Sequence, residues 1–113
     1  MSNYYNLTEV IEMAGGDDDF VKVIIETFLE EIPPDVRSMS EAIDNSNPTL
    51  AYQFAHKMKP NLQLFGLELM DQILTIEAWA KGTGAEVKAR EAKEKISTKV
   101  IMVEKHLKED FGL

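Results

Sequence analysis

Apolar residues recur at spacings of four and three along nearly the whole chain, and this periodicity constrains the fold more than any other feature. Such spacing keeps side chains on one face of an α-helix. No stretch of useful length alternates with period two, as half-buried strands do. The chain is therefore predicted to be all-α. Its longest apolar stripe comprises Phe20, Ile24, Phe28, Ile32, Val36, Met39 and Ile43.

Two adjacent prolines, Pro33 and Pro34, interrupt this stripe. Proline lacks the backbone N–H that an interior helical position needs, so a pair of them is expected to kink or break a helix. The apolar residues Ile32, Val36 and Met39 nevertheless keep their phase across the pair. We therefore predict one long kinked helix rather than two unrelated ones.

Capping signals mark where the first two helices begin. The segment Asn6-Leu7-Thr8-Glu9 resembles a capping box and opens a short helix that Gly15-Gly16 ends. Residues 17–19 are three aspartates, whose negative charge favours the N-terminus of the long helix. The chain thus begins with a short helix followed by the long one.

The remaining helices follow from similar signals. Asn47 and Pro48 suit the cap and the first position of a helix that Gly66 ends. Two further stripes predict helices at about 67–81 and about 85–109. Four amphipathic helices with short connections predict an antiparallel up-down-up-down four-helix bundle, with the short N-terminal helix as an accessory. A chain of 113 residues fits one domain, here residues 1–113.

Composition narrows the compartment and the partners. The chain has no cysteine, which excludes disulfides and thiolate metal sites. No apolar run approaches the roughly 18 residues of a membrane span, and the N-terminus lacks the pattern of a signal peptide. The net charge of −8 argues against nucleic acid and anionic membranes as partners. We expect a cytoplasmic protein that stands alone, because it starts at Met1 and carries a complete set of helices.

Charge is distributed unevenly along the chain. Residues 1–46 contain eleven acidic and two basic residues, whereas residues 47–66 contain no acidic residue and the two lysines Lys57 and Lys59. This acid-free segment surrounds His56. Either a negatively charged group binds there, or a solvated face lacks acids by chance.

His56 is predicted to face water. On a helical wheel of roughly 100° per residue, it lies roughly 160° from the centre of the apolar sector of its helix. Tyr52, Gln53, Lys59 and Gln63 lie near it on the same face, as does Pro60. The apolar sector contains Leu50, Ala51, Phe54, Ala55, Met58, Leu62 and Phe65.

An exposed helical histidine allows few kinds of chemistry. A metal site needs more ligands, but no acid lies within a turn of His56 and His106 is far along the chain. A hydrolase needs a cleft, which the outer side of a bundle helix lacks. What remains is the imidazole as a nucleophile that accepts a phosphoryl group and passes it on. The alternative is an idle surface histidine, and we assign that interpretation to His106.

The neighbours of His56 suit phosphoryl chemistry. The ammonium group of Lys59 is placed to neutralise phosphoryl oxygens, and Gln63 can donate a hydrogen bond to them. Pro60 cannot donate to the carbonyl of His56, and its compact ring leaves room for an approaching partner. A plain helix break is the alternative interpretation of Pro60.

The segment "AHKMKPNLQLFG" resembles the signature of histidine-containing phosphotransfer (HPt) domains of bacterial two-component phosphorelays, roughly A-H-x-L-K-G-x-x-x-x-x-G. Ala55, His56, Lys59 and Gly66 match it, and Met58 stands for the usual leucine. The segment "DDDFVKVIIETFLEEIPPDVRSMSEAI" is similar to the second helix of that family. The resemblance covers most of the chain and weakens after about residue 80. The family fold is a four-helix bundle with an accessory N-terminal helix.

The resemblance implies a phosphoryl carrier rather than an enzyme. His56 would accept a phosphoryl group from the phosphoaspartate of one receiver domain, in a response regulator or a hybrid histidine kinase, and deliver it to another. Magnesium belongs to the receiver, so we expect no metal and no cofactor in this chain, which we expect to be a monomer. Pro60 replaces the glycine usual in the family, and we expect docking to survive this change with an altered partner preference. The expected partner-binding residues are Tyr52, Gln53, Lys57, Pro60 and Gly66.

Two other classes of protein compete with a relay. One is a non-catalytic helical adaptor or scaffold in which His56 is idle. The other is a bundle enzyme with a metal core, which the sequence disfavours because its apolar stripes contain no inward Glu-x-x-His pair.

Overall fold

The computed structural model describes residues 4–113, and within them the protein is all-α, as predicted. That part of the chain contains no strand and five helices. The helices are α1 (Thr8–Met13), α2 (Asp18–Asp44), α3 (Pro48–Leu64), α4 (Met70–Ala80) and α5 (Glu86–Phe111).

Side-chain caps fix the starts of α2 and α3. The Asp17 carboxylate accepts hydrogen bonds from the backbone N–H groups of Asp19 and Phe20, at 2.9 and 3.2 Å. The Asn47 side chain accepts from the N–H of Leu50, with Pro48 in the first turn of α3. Each cap satisfies donors that have no partner inside the helix. Both predicted start signals are therefore confirmed.

The proline pair does not divide α2. The helix runs for 27 residues through Pro33 and Pro34, with Pro33 buried and Pro34 exposed. Ile32 and Val36 on either side of the pair are buried. The prediction of a single helix is confirmed, because the apolar phase outweighs the loss of two backbone donors.

The long helices close into a ring of contacts. Helix α2 packs against α3 and α5, helix α4 packs against the same two, and α1 adds to α2. Their buried faces form one continuous core. In it the rings of Phe28 on α2 and Phe65 after α3 lie 4.2 Å apart between centroids. This arrangement places the outer faces of α3 and α4 side by side on the surface.

Two predicted core residues are exposed. Phe20 is 49% exposed and Leu50 is 38% exposed, whereas Val21 and Ala51 beside them are buried. A step of four residues overshoots one helical turn by about 40°, so a stripe built on steps of four rotates away from the core. Phe20 lies two such steps before the buried Phe28, and Leu50 lies two such steps before the buried Met58.

The connection before α4 is longer than predicted. Helix α4 begins at Met70 rather than near residue 67, because Gly66 and Glu68 have φ angles of +63° and +56° that no helix contains. Leu67 and Leu69 are buried in this connection. Helix α5 differs from its prediction only at its ends.

The N-terminal segment crosses the turn after α3. The backbone N–H of Asn6 donates to the carbonyl of Phe65 at 2.8 Å, and the Tyr5 hydroxyl donates to the carboxylate of Asp110 on α5. A Cβ atom at Gly66 would lie 2.8 Å from the Cβ of Asn6. Gly66 is therefore required by its positive φ angle and by the close approach of this segment.

Candidate functional site

His56 lies on the surface of α3, as the helical wheel predicts. Its side chain is 63% exposed, while its neighbours Ala55 and Met58 are completely buried in the core. Packing in the core therefore fixes α3 just before and just after His56, while the imidazole remains accessible to solvent and to partners.

A buried carboxylate from α4 backs this imidazole. The Glu77 side chain is only 6% exposed, and its Oε2 atom lies 3.4 Å from Nδ1 of His56. Its Oε1 atom accepts a hydrogen bond from Nζ of Lys59 at 3.0 Å. Among residues 4–113, Oε2 is one of two buried side-chain oxygens that accept no hydrogen bond, so its approach to Nδ1 is a close contact rather than a hydrogen bond. The Glu77 carboxylate thus contacts both His56 and Lys59.

Sequence reasoning missed Glu77, although a signal for it exists. The residue falls on the apolar stripe of α4, four positions after Ile73 and one after Ile76, and all three are buried. An acidic residue is almost never buried without a partner. A carboxylate on an inward stripe therefore indicates a cation on a neighbouring helix, and Lys59 is that cation.

An aromatic ring lies against the other side of the site. The ring of Tyr52, one turn before His56, is stacked on the imidazole with centroids 5.6 Å apart and an angle of 8° between the planes. The ammonium of Lys81, which follows α4, lies 5.4 Å from the centroid of the Tyr52 ring. Parallel stacking restricts rotation of the imidazole, so the ring has a defined orientation before any partner arrives.

Lys57 is also held by a buried acid, but on the opposite side of α3. Its Nζ atom lies 3.2 Å from Oδ1 of Asp35 on α2, whose side chain is 10% exposed. The Lys57 side chain is 60% exposed, compared with 25% for Lys59. The two lysines next to His56 therefore tie α3 to different helices, and only Lys59 shares a carboxylate with the histidine.

Pro60 and Gln63 lie farther along the same face. Helix α3 continues past Pro60 to Leu64, so the alternative of a plain helix break at Pro60 is wrong. Both residues form part of the wall of an open groove of about 500 Å³ between α1, α2 and α3. Gln53 is exposed one turn before His56. Gly66 lies beyond the helix end, where packing against Asn6 accounts for it.

The described residues offer no alternative metal site or membrane span. Within residues 4–113, no group of three or more histidine, cysteine or acidic side chains is arranged to hold a metal ion. In the same range, none of the helices combines the length and the apolar character that crossing a membrane requires. His106 lies on α5 with its ring 4.8 Å from that of Tyr4, apart from the predicted site.

Comparison with known proteins adds no family. No protein-family model matches the chain. No curated protein and no solved structure matches it either. Function is therefore inferred from the geometry around His56.

That geometry suits a nucleophile that partners approach from solvent. With a proton on Nδ1 facing the Glu77 carboxylate, the lone pair of the ring lies on Nε2. Because Nδ1 faces the buried acid and the side chain is largely exposed, Nε2 is the nitrogen that an incoming group can reach. A carboxylate behind an imidazole also stabilises the positive charge that the ring acquires when Nε2 forms a bond.

Proposed function

We propose that this chain is a histidine phosphotransfer protein. His56 takes a phosphoryl group from the phosphoaspartate of one receiver domain and delivers it to the aspartate of another. The observation that carries this proposal is the pairing of an exposed imidazole with the buried carboxylate of Glu77, 3.4 Å from Nδ1.

The transfer is balanced without moving a proton. The Nε2 lone pair of His56 attacks the phosphorus atom, the N–P bond forms, and the O–P bond breaks with its electron pair on the departing aspartate. The phosphorylated ring keeps its Nδ1 proton and carries a positive charge next to Glu77. When a second aspartate attacks, the N–P bond breaks and its electron pair returns to Nε2.

Lys59 supplies the positive charge for the phosphoryl oxygens. Its ammonium is held 3.0 Å from Glu77, on the face of His56, and a quarter of its side chain is exposed. A lysine can keep one hydrogen bond to Glu77 and turn another donor towards a phosphoryl oxygen, because its ammonium has three. Gln63, two turns along α3 from His56, is the further donor that we assign to the phosphoryl group or the partner.

The proposal extends to the architecture and the partners. The ring of contacts among four long helices supports an antiparallel up-down-up-down bundle with α1 as the accessory helix. The chain would act as a cytoplasmic monomer without kinase activity. It would exchange phosphoryl groups with receiver domains of response regulators or hybrid histidine kinases. The magnesium ion would be bound by the receiver domain. Tyr52, Gln53, Lys57 and Pro60 surround His56 where such a domain would contact it.

Label transfer tests the proposal. A receiver domain is phosphorylated with radioactive acetyl phosphate, freed of the donor and mixed with the chain. We expect label that is stable to alkali and labile to acid, absent from His56→Gln and present in His106→Gln. No label on the wild-type chain from any receiver would instead indicate an adaptor or scaffold, in which His56 is idle. Label that persists in His56→Gln would also overturn the assignment.

A further inference from the structure

Tyr52 lies on the side of α3 towards which the imidazole of His56 leans. It precedes His56 by four residues, about one turn, and long side chains on a helix lean towards the N-terminus of that helix. The two ring planes differ by only 8°. The Tyr52 ring is itself partly buried and lies 5.4 Å from the ammonium of Lys81. The aromatic ring that meets the imidazole is therefore held by contacts of its own.

The contact with Glu77 does not by itself fix the plane of the imidazole. The last torsion of a histidine side chain is broad, so the ring plane is set by whatever lies next to it. The His56 side chain is 63% exposed, and Oε2 of Glu77 approaches Nδ1 without accepting a hydrogen bond. The parallel stack on Tyr52 supplies the restraint on the ring plane that this approach lacks.

The plane of the ring decides which nitrogen is nucleophilic. A neutral imidazole carries a proton on one nitrogen and a lone pair on the other, and the group that faces the first nitrogen selects the tautomer. In the stacked orientation Nδ1 faces the Glu77 carboxylate, which favours a proton on Nδ1 and a lone pair on Nε2. A ring that left the stack would carry Nδ1 away from Glu77. Both nitrogens would then be open to solvent, and either one would carry the lone pair.

The ring of Tyr52 makes this contact, and its hydroxyl does not. Among residues 4–113, the Tyr52 hydroxyl has no hydrogen-bond partner, whereas the ring meets both His56 and Lys81. Phenylalanine should therefore replace tyrosine here, and a side chain without an aromatic ring should not.

We propose that Tyr52 is a positioning residue that selects Nε2 of His56 as the nitrogen that carries the phosphoryl group. It keeps the imidazole in the plane in which Glu77 faces Nδ1, and it acts without touching the reacting atoms. This inference rests on the proposed phosphotransfer. Without the stack, the phosphoryl group would be divided between the two nitrogens.

Three variants separate the ring of Tyr52 from its hydroxyl and from packing in general. Tyr52→Phe keeps the ring, and Tyr52→Ser removes it. Leu50→Ser is the matched control, because Leu50 is a partly exposed side chain on the apolar side of the same helix. The His56→Gln chain distinguishes the signals of the two histidines, and urea denaturation confirms that each variant is folded.

NMR of chains with isotope-labelled imidazoles gives two readouts. At alkaline pH an imidazole is neutral, and the nitrogen chemical shifts show which nitrogen carries the proton. After reaction with phosphoramidate, coupling between phosphorus and nitrogen shows which nitrogen carries the phosphoryl group. A ring nitrogen attacks the phosphorus of this small donor, whose own N–P bond breaks with its electron pair on the departing ammonia. N-acetylhistidine is the reference for a ring without neighbours.

We expect the proton on Nδ1 and the phosphoryl group on Nε2 in the wild-type chain, in Tyr52→Phe and in Leu50→Ser. In Tyr52→Ser, both readouts should move towards those of N-acetylhistidine. The ratio of Nε2 to Nδ1 product should fall by about two- to tenfold, the range that one aromatic pair corresponds to. A side chain that served only for packing would affect stability and leave both readouts unchanged.

Other results would overturn the inference. A wild-type proton on Nε2, or a Tyr52→Ser chain with the wild-type tautomer and product ratio, refutes the role of Tyr52 and leaves phosphotransfer standing. An equal change in Leu50→Ser refutes that role too, since it would come from loosening of α3. Failure of phosphoramidate and of every receiver to label the wild-type chain refutes the proposed function and this inference together.

Discussion

Replacing Glu77 with glutamine separates a functional carboxylate from a structural one. Glutamine keeps the shape of the side chain and an oxygen that accepts a hydrogen bond from Lys59, but it removes the negative charge next to His56. If the carboxylate stabilises the phosphorylated imidazole, transfer should suffer far more than folding. If it only completes the packing of α4, neither property should change much.

The expected loss of rate follows from the distance. Opposite unit charges 3.4 Å apart attract by about 1 kcal/mol in bulk water and about 5 kcal/mol at an effective dielectric constant of about 20. The exposed imidazole and the buried Glu77 lie between these limits. The lower limit alone corresponds to at least about fivefold in rate. We therefore expect Glu77→Gln to slow label transfer from a phosphorylated receiver by about tenfold or more.

The expected loss of stability is small by comparison. A hydrogen bond to a charged acceptor contributes about 1 kcal/mol more than one to a neutral acceptor, and burying a neutral amide costs less than burying a carboxylate. Glu77→Gln should therefore lower the free energy of unfolding by about 1 kcal/mol at most, or roughly 5 °C in melting temperature. Urea denaturation measures this, with Asp71→Asn as an exposed control on the same helix.

Either of two results would refute this reasoning. A Glu77→Gln protein that accepts label at the wild-type rate would show that the carboxylate has no part in the chemistry. A loss of more than about 3 kcal/mol in unfolding free energy, the size typical of a broken buried ion pair, would show that its main role is structural.

Three further predictions concern α3 and use the same assays. His56→Gln should abolish label acceptance and change the unfolding free energy by no more than about 0.5 kcal/mol, because the side chain is exposed; a His56 variant that melts far below wild type would contradict this. Lys59→Ala should slow transfer more than Lys57→Ala, since only Lys59 shares Glu77 with the histidine; equal losses would show that positive charge acts without a placed ammonium. Pro60→Ala should raise the melting temperature, because the turn around Pro60 is helical and an interior proline costs about 3 kcal/mol relative to alanine; a lower melting temperature would contradict it.

The sequence predicts the helices well because their signals are local. A cap such as Asn47 and an apolar spacing of three or four are each contained within one or two turns, so a single segment carries the whole signal. The exposure of His56 follows from the same periodicity. The exposure of Phe20 does not follow from this periodicity. It depends on how far the apolar stripe of α2 rotates away from the core before the neighbouring helices end.

The position of Glu77 on an apolar stripe signals that it needs a cation, but which cation each buried acid contacts could not be predicted, because the two partners lie on different helices. Glu77 and Asp35 are 21 residues on either side of His56 in the chain, and nothing local shows which lysine each one contacts. The helical wheel places Lys59 beside the histidine, but it cannot show that a buried acid already holds the ammonium. Tertiary packing decides that arrangement.

The two lysine–carboxylate ion pairs give the surroundings of His56 no net charge. Lys57 with Asp35 and Lys59 with Glu77 sum to zero charge. A phosphoryl group on His56 would therefore share the ammonium of Lys59 with Glu77, so its negative charge would be only partly compensated. In a relay, such surroundings give the phosphohistidine a high group-transfer potential. For the proposed relay we therefore expect short occupancy of His56 and rapid onward transfer, rather than storage of the signal.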